Sequence, residues 1–324
     1  MKSVKILIFS LFFLNLYCLA QPAINLRPDE TVLLYSDSFE CNIDPIYGSK
    51  ISYARYKMDE SNDIVKKEHI SEHGFLENTS DYARMDLYFP EKGNGQMILV
   101  CPGGGYGFTS TYGEGLYVAK WMIEQGISVG VLKYRMPNGH HKIPSTDVFN
   151  SMIYCREHSE QWGINQIGIM GFSAGGHLAA TASTLWENNI TRPDFSILIY
   201  PVITMESGVT HQGTRNELIG EDTLQADSLA DQFSIENRVN MSTPPTFIAV
   251  CSDDAIVPVE NSIRYYQSLI RNRIKAELHV WPVGDHGWGY SKQEYRNETE
   301  TDSFQYARDE FESLLKKWLC QILS

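Results

Sequence analysis

Two kinds of apolar segment alternate along most of this chain. Short unbroken runs such as MILV (97–100) and FIAV (247–250) carry no polar residue at alternate positions. That is the pattern of strands buried on both faces. Longer segments with spaced apolar residues lie between them. QMILVC (96–101), ISVGVLKY (127–134), IGIMG (167–171), SILIYPV (196–202), TFIAVC (246–251) and AELHVW (276–281) predict strands. Helices are predicted over 113–126, stopped by Gly126, from Asp147 to about Trp162, from Gly175 to about Trp186, over 259–271 and over about 302–320. Such alternation predicts an α/β fold, a mostly parallel central sheet with helices on both faces.

Two regions depart from this rhythm. Segments near 51–57 and 84–90 predict a pair of antiparallel strands at one edge. Residues 203–243 carry charge, Gly and Ser without a clear apolar face. They are too many for an ordinary connection, so a cap or lid excursion above the sheet is expected there, shaping whatever site lies below.

The first twenty residues have a different character. Lys2 and Lys5 precede ILIFSLFFLNLYCLA, and Cys18-Leu19-Ala20 places small residues for cleavage before Gln21. This predicts a secretory signal peptide, leaving 21–324 as a single domain that is secreted or periplasmic. The run is shorter than the ~20 residues a spanning helix needs, and Tyr17 is bulky for a lipoprotein signal ending at Cys18. No later run is long enough to span a bilayer, so no membrane insertion is expected.

Composition removes several function classes. The net charge of −13 disfavours nucleic acid or an anionic membrane surface as partner. After cleavage five scattered cysteines remain, Cys41, Cys101, Cys155, Cys251 and Cys320. An odd count at irregular spacing is no disulfide framework, and buried thiols are expected for Cys101 and Cys251. No C-x-x-C or H-E-x-x-H pattern suggests a metal, and neither metal nor cofactor is expected. Nothing in the chain encodes an oligomeric state.

Chemistry enters at IGIMGFSAGGH (167–177). The pentapeptide G-F-S-A-G is weak by itself, but here a strand runs into it and a helix runs out. That strand–turn–helix is the mechanical context of a nucleophile elbow. It makes Ser173 a candidate nucleophile at a helix N-terminus, where backbone N–H groups favour a developing anion. The strand QMILVC ends in PGGGYGF (102–108). A triple glycine there can turn N–H groups toward a substrate oxygen, and Gly104 and Gly105 join the N–H of Ala174 as candidate oxyanion donors. A phosphate loop would need a following Lys-Ser/Thr, which YGF does not supply.

An acid and a base follow in order. CSDDAIVP (251–258) and GDHGWG (284–289) each follow a predicted strand, so both leave the same sheet end as Ser173, where α/β sites form. His286 alone among the nine histidines combines a strand end with flanking glycines. His177 lies one turn into the elbow helix, a position suited to a packed histidine bonded to backbone. Asp253, Asp254 and Asp285 all lie close in sequence. Adjacent residues in extended chain point to opposite sides, so at most one of Asp253 and Asp254 reaches the imidazole.

PGGGY, GFSAGGH, D-A-I-V-P and DHG together resemble the α/β-hydrolase serine esterases of the carbohydrate-esterase and hormone-sensitive-lipase-like branch. The likeness runs from about residue 80 to the C-terminus. It is strongest to secreted bacterial acetylxylan esterases and feruloyl-esterase-like domains, often labelled xylanase because they occur beside xylanases. The resemblance implies a triad Ser173, Asp254, His286, the aspartate chosen because D-x-x-V-P is the family's spacing. Val257 can then pack down while Pro258 starts the next helix. One departure stands out: Pro102 occupies the place of the histidine that usually precedes the glycine run, which leaves the support of that loop unexplained.

The resemblance implies removal of short acyl groups, acetyl foremost, from xylan fragments, with a small-molecule or oligosaccharide ester as partner. Tyr106, Tyr112, Trp288 and Tyr290 lie beside the expected site, and Tyr106 and Trp288 are expected to bind substrate by stacking on sugar rings. The alternatives are a serine peptidase of the prolyl-oligopeptidase type, for whose propeller the chain has no room, and a general short-chain esterase. A binding protein on a hydrolase scaffold would lack a triad residue, and a lipase would show an apolar lid face in 203–243.

Overall fold

The computed structural model describes residues 25–35, 42–44, 47–58, 68–71, 75–79, 82–220, 226–289 and 303–322. The expected signal peptide, with its cleavage point before Gln21, lies outside the described residues, as do Cys41 and Tyr290.

The strands in chain order are β1 (Glu30–Leu33), β2 (Lys50–Tyr53), β3 (His69–Ile70), β4 (Leu76–Glu77), β5 (Arg84–Tyr88), β6 (Gln96–Cys101), β7 (Phe108–Thr109), β8 (Ser128–Lys133), β9 (Gln166–Phe172), β10 (Ser196–Ile199), β11 (Thr246–Cys251) and β12 (Ala276–Trp281). The helices are α1 (Tyr117–Glu124), α2 (Lys142–Trp162), α3 (Ser173–Thr184), α4 (Gln212–Ile219), α5 (Ala226–Phe233), α6 (Glu260–Arg271) and α7 (Ser303–Ile322). Among the described residues, nine strands form one sheet in the order β12-β11-β10-β9-β6-β8-β5-β1-β2. From β12 to β8 every pairing is parallel.

The apolar runs have no period of two because both sheet faces are covered. Along β6, Met97 and Leu99 join the core beneath α2, α3 and α6, whereas Ile98 and Val100 join the core beneath α1 and α7. Each such buried side chain contributes roughly 1.5–3 kcal/mol relative to exposure. Cys101, Cys155 and Cys251 are buried free thiols in these cores, and Cys320 is exposed.

The early pair differs from expectation. β1 inserts between the two segments, antiparallel to β5 and parallel to β2. β5 is therefore an interior strand, antiparallel to β8 as well, and β2 is the edge. Four residues, ETVL, were too short a run to show a period. The start of α2 also differs. It begins at Lys142, with Pro144 in its first turn, where a missing N–H costs nothing. Asp147 is a buried mid-helix residue. It binds the Arg135 guanidinium at 2.7 Å and accepts the Arg135 backbone N–H at 2.8 Å.

The order of connections fixes where a site can form. β8 and β9 lie on opposite sides of β6, so consecutive crossovers diverge there and leave a crevice at the strands' carboxyl ends. The loops after β6 and β9 meet in that crevice, because Cys101 pairs with Gly171. Residues 203–243 leave the sheet after β10, form α4, α5 and a short 3-10 turn at Ile235–Asn237, and return at β11. The excursion is pinned to α6, whose Asn261 side chain accepts from the N–H of Ile203 and of Thr204.

Candidate active site

The chain after β9 cannot continue straight. Ser173 has φ 51°, a left-handed conformation that costs a non-glycine residue of order 1–3 kcal/mol unless its surroundings over-determine it. Here they do. A side chain at Gly171 would collide with the Gly175 carbonyl, and one at Gly175 with the Cys101 and Pro102 carbonyls. Two glycines thus let the strand and helix close on each other. The result lifts the Ser173 hydroxyl out of the sheet at the first position of α3.

His286, from the loop after β12, reaches that hydroxyl, and Asp254, from the loop after β11, stands behind the imidazole. His286 Nε2 lies 2.9 Å from Ser173 Oγ, and its Nδ1 lies 2.7 Å from Asp254 Oδ2. The carboxylate is fully buried at its side chain and fixed by its other oxygen, which accepts from the N–H of Ile256 and of Val257. Asp253 turns the other way. It accepts from the N–H of Gly284 and of Asp285, bracing the loop that carries the histidine. Asp285 accepts from the Ala255 N–H. The three aspartates left open by their proximity in sequence are thus separated: one faces the imidazole and two hold backbone.

The glycine loop lies against the elbow. A Cβ on Gly103 would be 3.0 Å from that of Ser173, so only a bare backbone fits. Gly104 and Gly105 have φ of 137° and 62°. Their N–H groups make no hydrogen bond among the described residues, and the Ala174 N–H belongs to the first turn of α3, whose donors have no helical partner. All three remain available to an anion.

The support of this loop, unexplained by the sequence, comes from Glu114. This residue lies in a short π-helical turn (Tyr112–Leu116) that precedes α1. Its Oε2 accepts from the Gly103 N–H at 2.6 Å, and its Oε1 accepts from the Tyr200 hydroxyl at 2.8 Å. Tyr134 adds a 2.7 Å bond to the Pro102 carbonyl. Burial pushes the Glu114 carboxyl above the usual carboxylate range, opposed by its two donors and by the charge of His286. Tyr200, at φ 37°, accepts the Gly289 N–H at 3.0 Å and lays its ring 4.6 Å from that of His286. One phenol therefore ties the glycine loop to the histidine loop. Neither residue had a visible local signal, since Glu114 lay in an ordinary helical segment and Tyr200 in an apolar run.

The two aromatic residues expected to stack on sugar are corrected. Tyr106 is buried, and its hydroxyl lies 3.0 Å from His177 Nδ1. Trp288 is fully buried, packed edge-on against Tyr200, Trp281 and Phe311. Neither offers a face to solvent. Tyr112 is half-buried against the core. His177 is a packed histidine. Its Nε2–H donates to the Phe233 carbonyl at 2.8 Å, so its Nδ1 accepts from Tyr106. Burial lowers its pKa to about 4. It joins glycine loop, elbow helix and cap excursion.

His211 is a further residue that the pattern did not single out. It precedes α4 within the excursion, and its Cε1 lies 3.7 Å from where a Cβ on Gly105 would be.

Comparison with known proteins agrees with this geometry. The BD-FAE family profile matches residues 85–269. An acetylxylan esterase of Xylanibacter ruminicola is 39% identical over 222 residues, 67% of this chain and 46% of that protein. The chain thus spans about half the length of that curated relative. A solved acetyl ester-xyloside bifunctional hydrolase of Caldicellulosiruptor lactoaceticus superposes with TM-score 0.58 at 31% identity, over 72% of this chain and 88% of its own. A sugar hydrolase of Lactococcus lactis superposes with TM-score 0.63 at 28% identity, over 75% and 96%. With a profile match over more than half its length and a crevice of this construction, the chain belongs to the BD-FAE family and has the α/β-hydrolase fold.

Proposed function

We propose that the protein is a serine carboxylesterase that removes short acyl groups, acetyl foremost, from xylan fragments. The observation that carries this reading is the unbroken hydrogen-bond chain Ser173–His286–Asp254 at the tip of a strained elbow. In this mechanism Ser173 Oγ attacks the ester carbonyl while His286 Nε2 takes its proton. Asp254 holds the imidazole tautomer and stabilises the imidazolium. The tetrahedral oxyanion is received by the N–H groups of Gly104, Gly105 and Ala174. Collapse breaks the C–O bond, and His286 returns the proton to the departing sugar alkoxide. Water, deprotonated by His286, then attacks the acyl-serine, releases the carboxylic acid and restores the hydroxyl.

The substrate class is supported by the activities of the xylan-directed relatives and by the sequence of 203–243, which carries charge, Gly and Ser without a clear apolar face. The reading includes export, with the signal peptide removed before Gln21, on the strength of the basic and apolar leader. N-terminal analysis of the mature protein checks that part, and an intact Met1 or a lipid on Cys18 overturns it. The activity is tested with nitrophenyl esters of increasing chain length, then acetylated xylan with acetate release measured. Acetyl and propionyl esters should be turned over fastest and acetylated xylan should release acetate. A preference for long acyl chains would overturn the reading. Turnover of acetyl nitrophenol without acetate release from xylan would reduce it to a general short-chain esterase.

A further inference from the structure

The cap excursion brings one side chain back to the crevice. His211 is half-exposed and precedes α4 as its N-cap. Its Nδ1 accepts the Thr214 backbone N–H at 3.2 Å and lies 2.8 Å from the Thr214 hydroxyl. A backbone N–H can only donate, so Nδ1 carries no proton and the neutral ring carries it on Nε2. Two glycines leave room for the ring. Its Cε1 is 3.7 Å from the Cβ position of Gly105 and 3.1 Å from that of Gly213. The Nε2–H makes no hydrogen bond among the described residues. Burial and the nearby His286 disfavour a charge on this ring, although Asp254 favours it.

The crevice therefore holds a fixed, neutral, unpartnered N–H donor beside the oxyanion loop, on the cap side. An acetyl methyl group would gain nothing from it. A pentose ester differs, because hydroxyl oxygens flank its esterified carbon. We propose that His211 is a specificity-determining residue whose Nε2–H donates to a sugar hydroxyl of the alcohol half of the ester. The capping bond at Nδ1 fixes the tautomer and aim of this donor, so the helix that forms the cap also sets the selectivity. This inference rests on the reading of the protein as a carbohydrate esterase.

The test compares two acetyl esters with different alcohols, acetylated xylotriose and 4-nitrophenyl acetate, in wild type, His211→Asn and His211→Phe. Asn is a strong N-cap, so His211→Asn keeps α4 while removing the ring donor. The ratio of kcat/KM for xylotriose to that for nitrophenyl acetate should fall about tenfold in both variants, mostly through KM, as expected for one lost hydrogen bond. Urea unfolding should place His211→Asn near wild type, so that the result stands even if His211→Phe does not fold. An unchanged ratio, or an equal fall on both substrates, overturns the assignment. Equal losses would place the donor on the carbonyl oxygen common to both esters. If wild type hydrolyses nitrophenyl acetate but not xylotriose, the carbohydrate reading fails and this inference falls with it.

Discussion

Two groups of buried carboxylates in this molecule are satisfied in different ways. On the β5 flank, Asp86 meets the Lys133 ammonium at 2.5 Å and Asp147 meets Arg135, with all four side chains buried. At the crevice, Glu114 has only neutral donors, a backbone N–H and a phenol, while Asp254 has two backbone N–H groups and an imidazole. The flank neutralises charge locally. The crevice leaves carboxylates whose field is felt by the histidine and whose oxygens hold loops in place. Substitutions at the crevice should therefore change rate, and those on the flank should change stability.

The largest expected effect is at the nucleophile. Ser173→Ala should lower kcat by on the order of 10⁴–10⁶-fold while leaving the urea midpoint near wild type. A variant that keeps its rate would remove the crevice from the comparison altogether. Next is the carboxylate behind the imidazole. Asp254→Asn should cost about 10⁴-fold in kcat. Asp253→Asn should cost less than about tenfold, because an amide oxygen still accepts one of its two backbone bonds. A larger loss at Asp253 with both variants folded would reverse their roles.

The flank provides the opposite case. Asp147→Asn leaves the Arg135 guanidinium buried without its counter-charge, which should destabilise by about 3–5 kcal/mol. The molecules that remain folded should keep the wild-type kcat. A stability loss below 1 kcal/mol, measured by urea unfolding, would show that the buried pair is not what holds the flank.

Acid acts on the crevice's neighbour, His177. Its pKa is about 4 in the fold against about 6.5 in an unfolded chain. Above pH 6.5 both states are neutral and nothing changes. Between 6.5 and 4 the unfolded chain takes up a proton that the folded one refuses, so stability falls as pH falls. The full loss is about 3 kcal/mol. Urea unfolding at several pH values should show a shallower acid slope in His177→Gln than in wild type. Equal slopes would place the acid sensitivity elsewhere.

The smallest effect sharpens the distinction most. Glu114→Ala strands the Gly103 N–H and should lower kcat by about 10–100-fold while costing about 1–3 kcal/mol. Glu114→Gln still presents an acceptor to Gly103 and an N–H to the Tyr200 oxygen, so it should recover most of the rate. Failure of glutamine to rescue would mean that the negative charge itself acts on the crevice.

The apolar pattern along the chain was enough to predict the parallel sheet of β6 and β8 to β12 and the chain order of the proposed nucleophile, acid and base. Those features are local. Strand burial is written in runs such as MILV, and the elbow and glycine loop are backbone geometries that only particular glycines permit. The pattern also separated His286 from the other histidines, because a strand end and two glycines are visible in sequence. It could not show that β1 lies between β2 and β5, since sheet neighbours across long separations are chosen by packing. It could not show that Tyr106 and Trp288 turn inward, because an aromatic residue beside a loop has the same local sequence whether it faces solvent or core. Glu114, Tyr200 and His211 were hidden for the same reason. Each acts through a partner far away in the chain, and a buried hydrogen bond between distant residues exists only once the tertiary structure has excluded water from both.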